Sequence, residues 1–301
     1  MYPQHFPEYP FSSHFATIDG HRLHYLDEGT GPVIVMVHGN PTWSYYYRHL
    51  VTLLSRTNRV VAVDHLGCGL SDKPQNYPYQ LKNHIDNLQA LLTQLQITSY
   101  SMIVHDWGGA IGLGVAGKTP QALEKLVILN TAAFRSQRIP WRIQLCRWPF
   151  IGKLLVRGLN GFAGPAVFMA VTRRLRPEVA QAYLAPYDCW DNRVAVDGFV
   201  RDIPLNSTHP SYETLVRVEE GLQALADRDI PVLVCWGGRD FCFNDHFYLE
   251  WQKRFPHAQC HYFKEAGHYV LEDALPVIRP LLEDFFSGVS GSSAKCNQPA
   301  Q

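Results

Sequence analysis

The sequence predicts an α/β fold: a mostly parallel central sheet flanked by helices. Short continuous apolar runs carry the strand assignment. Val33–Val37 (VIVMV), Val60–Val63 (VVAV), Ser101–Val104, Leu126–Leu129 (LVIL) and Val232–Cys235 (VLVC) are bounded by Gly, Pro or Asp, the pattern of strands buried on both faces. Helical stretches lie between them. The clearest is Leu81–Leu95, with apolar residues at 81, 85, 88, 91, 92 and 95, one face of a helix. Strands alternating with helices imply a parallel sheet, whose ligands bind beyond the carboxyl ends of the strands. The third observation is SMIVHDWGG at Ser101–Gly109. It reads as a strand, a sharp turn and a helix opening at Trp107, the layout of a nucleophile elbow.

Taken in order, each strand delivers a motif at its end. After Val33–Val37 comes His38-Gly39-Asn40-Pro41-Thr42-Trp43, a turn able to aim the Asn40 backbone N–H at a developing negative charge. After Val60–Val63 comes Asp64–Asp72 (DHLGCGLSD). It lacks the Lys-Ser/Thr of a phosphate loop and the full G-x-G-x-x-G spacing, and reads as scaffold packing beside the site. Asp106 stands at the tip of the elbow. Serine there would mean acyl transfer; a carboxylate means attack through oxygen and an aspartyl ester. Leu126–Leu129 is followed by Asn130-Thr131-Ala132-Ala133, with no acid. Cys260–Phe263 is a weaker, final strand candidate.

The alternation fails between about Ala133 and Glu213, a helix-like stretch dense in aromatics and arginines. Two readings stay open for it: a lid over the strand ends or a second packing layer. The expected organisation is core at 1–133, helical cap at 134–213, core again at 214–286 and a Gly/Ser-rich disordered tail at 287–301.

Composition narrows the classes. The 301 residues are 46% hydrophobic and 18% charged, the balance of a globular protein with a sizeable core. Lys+Arg and Asp+Glu both number 27, so the overall charge favours neither nucleic acid nor an acidic membrane surface. No apolar run approaches the roughly 20 residues needed to span a bilayer. The first residues lack a basic region followed by an apolar core, so they do not read as a secretory signal. Seven cysteines without CxxC spacing argue against disulfides and zinc and for reduced thiols in a cytoplasmic protein; Cys235 and Cys242, near the proposed site, read as packing.

A carboxylate nucleophile needs a base, a group to orient it, and donors for developing charge. His268 lies in EAGHYVLED after the last strand candidate, C-terminal to nucleophile and acid, the chain order of this elbow chemistry. Asp240 follows VLVCWGGR, placed to take the imidazole N–H and fix its tautomer. Asp245, Glu265 and Glu272 are weaker candidates for that role. The backbone N–H groups of Asn40 and Trp107 suit an oxyanion hole. The side chains of the same two residues are neutral N–H donors, suited to holding a departing halide or another soft anion.

The set HGNPTWSYYYRHL, DHLGCGLSDKP, VHDWGG, WGGRD and AGHYVLED resembles the haloalkane dehalogenases of the α/β-hydrolase superfamily over about His14 to Phe286. The resemblance implies the α/β-hydrolase fold with a helical cap. It makes Asp106 the nucleophile, His268 the base, Asp240 the acid, and Asn40 and Trp107 the halide site, with no cofactor or metal. The Asp after the WGG strand and the Asn-Trp pair are similar to the third dehalogenase subfamily. ILNTAAF, YLAPYDCWDNR and FVRDIPL look closer to the β-lactone decarboxylase of olefin biosynthesis. The first expectation is hydrolytic dehalogenation of a small hydrophobic substrate. The second is β-lactone decarboxylation. The third is epoxide hydrolysis, for which Tyr183, Tyr187 and Tyr212 are the candidate proton donors. The fourth is a non-catalytic ligand-binding protein of the same fold. Oligomeric state is left open.

Overall fold

The computed structural model describes residues 6–287; the predicted disordered tail lies, apart from Ser287, outside the described residues. The strands are β1 (His14–Ile18), β2 (His21–Glu28), β3 (Val33–Val37), β4 (Arg59–Val63), β5 (Tyr100–Asp106), β6 (Leu123–Thr131), β7 (Val232–Gly237) and β8 (Gln259–Phe263). They form one sheet in the order β1-β2-β4-β3-β5-β6-β7-β8. The β1–β2 and β2–β4 pairings are antiparallel and the others parallel.

The helices are α1 (Arg48–Leu54), α2 (Leu81–Gln94), α3 (Trp107–Ala116), α4 (Trp141–Cys146), α5 (Ile151–Lys153), α6 (Ala163–Met169), α7 (Pro177–Leu184), α8 (Val194–Arg201), α9 (Tyr212–Ala226), α10 (Asp245–Arg254), α11 (Val270–Asp273) and α12 (Leu275–Ser287). Alternate strand residues point to opposite faces of a sheet, so the apolar runs feed two cores. Val35, Val37, Met102, Val104 and Ile128 join Leu88 of α2, Ile111 of α3 and Leu222 of α9. Ile34, Met36, Ile103, Val127 and Leu129 join Leu50 of α1 and Ile278 and Leu282 of α12. A continuous apolar strand is what burial on both faces demands.

The strands read from the sequence all form, some one to three residues longer at an end. The hairpin of β1 and β2 was missed. Its apolar residues alternate with polar ones only in part, since Phe15-Ala16 and Tyr25-Leu26 are adjacent apolar pairs, and Asp19-Gly20, with φ of 48° and 78°, makes the turn. Asp-Gly between alternating segments is a hairpin signal and was the available clue. Between β6 and α9 the chain runs through α4 to α8, with a π-helical turn at Leu154–Gly158. These helices enclose a small core of their own, including Cys146, Val156, Tyr187, Val196 and Val200.

Candidate active site

The elbow between β5 and α3 is made by close approach of backbone. Asp106 takes φ 52° and ψ −127°, a conformation that costs a non-glycine residue on the order of 1–3 kcal/mol. Gly108 makes it possible: a Cβ there would lie 1.9 Å from the Val37 carbonyl oxygen. On the other side, Thr131 Oγ1 donates to the Asp106 carbonyl, so β6 pins the turn. Gly39 faces the carboxylate closely enough that a Cβ would meet Asp106 Oδ1.

The Asp106 carboxylate lies between backbone donors and His268. The Asn40 backbone N–H donates to Oδ1 at 2.6 Å, and the Trp107 backbone N–H also donates to the carboxylate. Oδ2 lies 3.6 Å from His268 Nε2. Burial raises the Asp106 carboxyl above its ordinary value; His268 and the two backbone donors oppose this. Asp106 therefore holds Oδ1 on the Asn40 N–H and turns Oδ2 toward His268.

His268 donates from Nδ1 to Asp240 Oδ2 at 2.7 Å, which leaves Nε2 toward Asp106. Burial pushes the imidazole down, but the Asp240 charge and hydrogen bond, with Asp106, outweigh it and hold His268 above the usual histidine value. Asp240 accepts the Cys242 backbone N–H at 2.7 Å and Asn130 Nδ2 at 3.0 Å. Asn130 also closes a two-way bond with the Gly237 backbone, donating to its oxygen at 3.0 Å and accepting its N–H at 2.8 Å. In the sequence this strand end is marked only by its lack of an acid. The structure gives Asn130 the task of fixing the acid on the neighbouring strand.

Two more residues, His105 and Asp273, support the His268 loop without a signal in the sequence. His105, buried beside the elbow, donates from Nε2 to the His268 carbonyl at 2.9 Å, and its ring lies 4.5 Å from that of His268. Burial holds His105 well below the usual value, so it is a neutral support. Asp273 accepts the Gly267 N–H at 2.8 Å and the Thr172 N–H at 2.9 Å, while the Tyr269 N–H donates to the Ala170 carbonyl at 2.7 Å. The loop carrying His268 is thus tied to the C-terminal end of α6. The His105–His268 and Asp273–Thr172 contacts have no local signature, because they join residues far apart in sequence.

A cavity of about 460 Å³ opens above Asp106. Asn40, Trp107, Cys242 and His268 line it together with Leu145, Leu155, Phe162, Val200 and Phe243. Asp240 is buried behind the imidazole at 4% exposure. The Asn40 amide does more than face the cavity: its Nδ2 donates to the Val196 carbonyl of α8 at 3.3 Å. Trp107 stacks obliquely on Phe199 at 5.4 Å. Cys235 is fully buried, while Cys242 lines the cavity rather than serving packing alone.

The weaker candidates for the acid lie elsewhere. Glu272 is held by Arg48 at 2.6 Å, Glu265 pairs with Arg239, and Asp245 accepts from the Tyr262 hydroxyl at 2.7 Å. The tyrosines named for epoxide opening are absent from the cavity lining. Tyr183 donates to Glu272 and Tyr187 to the Thr42 carbonyl at 3.3 Å. The glycine-rich turn after β4 is scaffold: Asp64 accepts the Ser44 and Leu70 N–H groups at 2.6 and 2.8 Å and pairs with His24 at 2.8 Å. Among the described residues no cluster of His, Cys, Asp or Glu is grouped to hold a metal ion.

An elbow at the carboxyl end of a central strand, with a histidine and an acid on later strand ends, is the arrangement of α/β hydrolases. The chain belongs to that family: the family model described as alpha/beta hydrolase fold matches residues 32–275. Within it, the chain is 42% identical over 295 residues to the cis-3-alkyl-4-alkyloxetan-2-one decarboxylase of Shewanella oneidensis, covering 96% of this chain and 92% of that protein. It is 40% identical to the protein of the same name from Xanthomonas campestris, over 93% of this chain and 97% of that one. A haloalkane dehalogenase of Mycolicibacterium paratuberculosis is 32% identical, over 89% and 90%. Among solved structures, haloalkane dehalogenase DbeA from Bradyrhizobium elkani superposes with a TM-score of 0.85 at 24% identity, covering 92% of this chain and 98% of that one.

Proposed function

We propose that this chain decarboxylates a cis-3,4-dialkyl oxetan-2-one, a β-lactone, to an alkene and carbon dioxide, using Asp106 as nucleophile. The identity of 42% with a protein of that name, along nearly the whole chain, carries the reading. It reverses the order expected from motifs alone, which put dehalogenation first. Those motifs are shared by both activities. The apolar cavity suits two alkyl chains.

In this reading Asp106 Oδ2 attacks ring carbon C4, breaking its bond to the ring oxygen. That oxygen leaves as a carboxylate on C2, and C4 becomes an aspartyl ester. The C2–C3 bond then breaks. Its electron pair forms the C3=C4 double bond, carbon dioxide departs, and the ester oxygen returns to Asp106 as carboxylate. No water is consumed. Asn40 and Trp107 stabilise the charge on the leaving oxygen, while His268, oriented by Asp240, balances the charge on Asp106.

Hydrolytic dehalogenation remains the second reading, favoured by the neutral donors Asn40 and Trp107 beside Asp106 and by the dehalogenase relatives. There His268 activates water against the same aspartyl ester. The deciding experiment gives the protein a long-chain cis-β-lactone and, separately, 1,2-dibromoethane. Alkene and bromide are measured, and intact-mass spectrometry of His268→Phe looks for an adduct on Asp106. Alkene without bromide is expected. Bromide with a trapped alkyl ester and no alkene would make the protein a dehalogenase. Neither product nor adduct would favour the ligand-binding reading.

A further inference from the structure

The segment between β6 and α7 departs from the rest of the chain in two independent ways. The first is charge. Between Phe134 and Pro177 stand nine Lys and Arg residues and no Asp or Glu, in a chain that is neutral as a whole. Arg135 is paired with Glu219, Arg157 with Asp191, and Arg176 with Glu8 and Glu178, while Arg147 turns inward to the Ile203 carbonyl. Arg138, Arg142, Lys153, Arg173 and Arg174 are exposed, and no ion pair holds them among the described residues.

The second is apolar exposure. Of the thirteen large apolar side chains exposed among the described residues, eight fall between Trp141 and Met169. Phe150 is 87% exposed and Leu159 72%. Phe150 sits at φ 61° and ψ −57° in a γ-turn closed by the Ile151 N–H on the Pro149 carbonyl at 2.7 Å. Such a turn is strained, yet it holds a bulky ring in solvent. Exposed patches of this kind mark interaction surfaces.

The cavity above Asp106 reaches the same surface. Arg138, Trp141, Arg142 and Met169 line it and are themselves exposed, Trp141 by 71%. Tryptophan and aliphatic side chains interleaved with cations form the composition that seats in the headgroup region of an anionic bilayer. We propose that the surface spanning α4 to α6 docks on an anionic lipid bilayer, placing the mouth of the cavity at the membrane. An apolar ligand would then enter and leave without crossing water. This surface is independent of which bond Asp106 breaks, and binding is read without turnover.

The test is sedimentation of the purified protein with vesicles of phosphatidylethanolamine containing a quarter phosphatidylglycerol, and with neutral phosphatidylcholine vesicles. Preferential binding to the anionic vesicles, weakened by salt, is expected. Phe150→Ser with Ile151→Ser and Leu154→Ser should reduce partitioning at least about tenfold. Arg142→Glu with Lys153→Glu should reduce it further, since each basic residue near such a surface contributes roughly fivefold. Thermal melts check folding, and the charge variants, all at exposed positions, keep the test decisive if the apolar variant misfolds. Equal binding by wild type and charge variant would overturn the proposal. So would no wild-type binding to anionic vesicles at about 0.1 M salt. Self-association through the patch without vesicle binding would overturn it too, assigning the surface to a second copy of the chain.

Discussion

The elbow at Asp106 and the turn at Phe150 both hold a non-glycine residue at positive φ, 52° and 61°, and they differ in everything around it. At Asp106 the strain is enforced from all sides: Gly108 against Val37, Thr131 on the carbonyl, Asn40 and Trp107 on the carboxylate. At Phe150 the backbone is strained but the side chain is surrounded by solvent. Strain over-determined by packing positions a reacting group. Strain that ends in an exposed ring presents a surface. The contrast separates a region specified by interior geometry from one specified by what it meets outside.

The sharpest way to break this comparison is at Asp106, the proposed nucleophile. Asp106→Ala should lower kcat on lactone or haloalkane by about 10⁴-fold or more, as loss of a nucleophile does, with the melting temperature little changed. Residual turnover near wild type would remove the covalent mechanism.

Asp240→Asn should cost on the order of 10²–10⁴ in kcat and change its pH dependence. In the reading where His268 activates water, the imidazole must be neutral, so activity rises with pH through its pKa. Asp240 is a main cause of the raised His268 value. The wild-type limb therefore lies above the ordinary histidine value of 6.5, and the variant's limb moves to lower pH. A limb that stays in place would show that Asp240 does not govern the base.

Asn130 tests how far the support extends. Asn130→Ala leaves the buried Gly237 N–H and carbonyl without their side-chain partners, a loss of about 1–3 kcal/mol for a stranded group. The expected result is a lower melting temperature and kcat down by roughly tenfold, since misplacement of a supporting group costs up to about 10². Unchanged kcat would make Asn130 structural only.

The smallest effects belong to the cap surface. Phe150→Gly relieves the positive φ and removes no buried contact, so stability should change by no more than about 1 kcal/mol, upward if at all. Gly108→Ala, one methyl group against Val37, should instead destabilise by several kcal/mol, about as severe overpacking does. Equal denaturation midpoints for the two variants would erase the distinction between the regions.

The clearest sequence signals came from elements whose environment is uniform along the chain. The central stretches of β3 to β7, such as Val33–Val37, Val60–Val63 and Leu126–Leu129, are apolar because both faces are buried, and periodicity reports that directly. The β1–β2 hairpin is harder because adjacent apolar pairs, Phe15-Ala16 and Tyr25-Leu26, break its alternation and its ends are polar. Asp106, His268 and Asp240 could be singled out because each lies at a strand end in the expected order, and in the structure His268 stands 3.6 Å from Asp106 and 2.7 Å from Asp240. Asn130, His105 and Asp273 could not, since an asparagine, a histidine or an aspartate carries no local mark of the residue it will meet in the folded chain.

By itself, then, the sequence determined the parallel sheet, the elbow, the order of the candidate acid and base, and the excess of cations between Phe134 and Pro177. Only the tertiary structure decided that Asn130 holds Asp240, that Asn40 reaches α8, that the cap tyrosines lie away from the cavity, and that the cationic segment exposes its apolar side chains. The physical reason is range. Burial on both faces and turn chemistry are local and leave a local pattern, whereas a hydrogen bond between residues a hundred positions apart exists only once the sheet has fixed their distance.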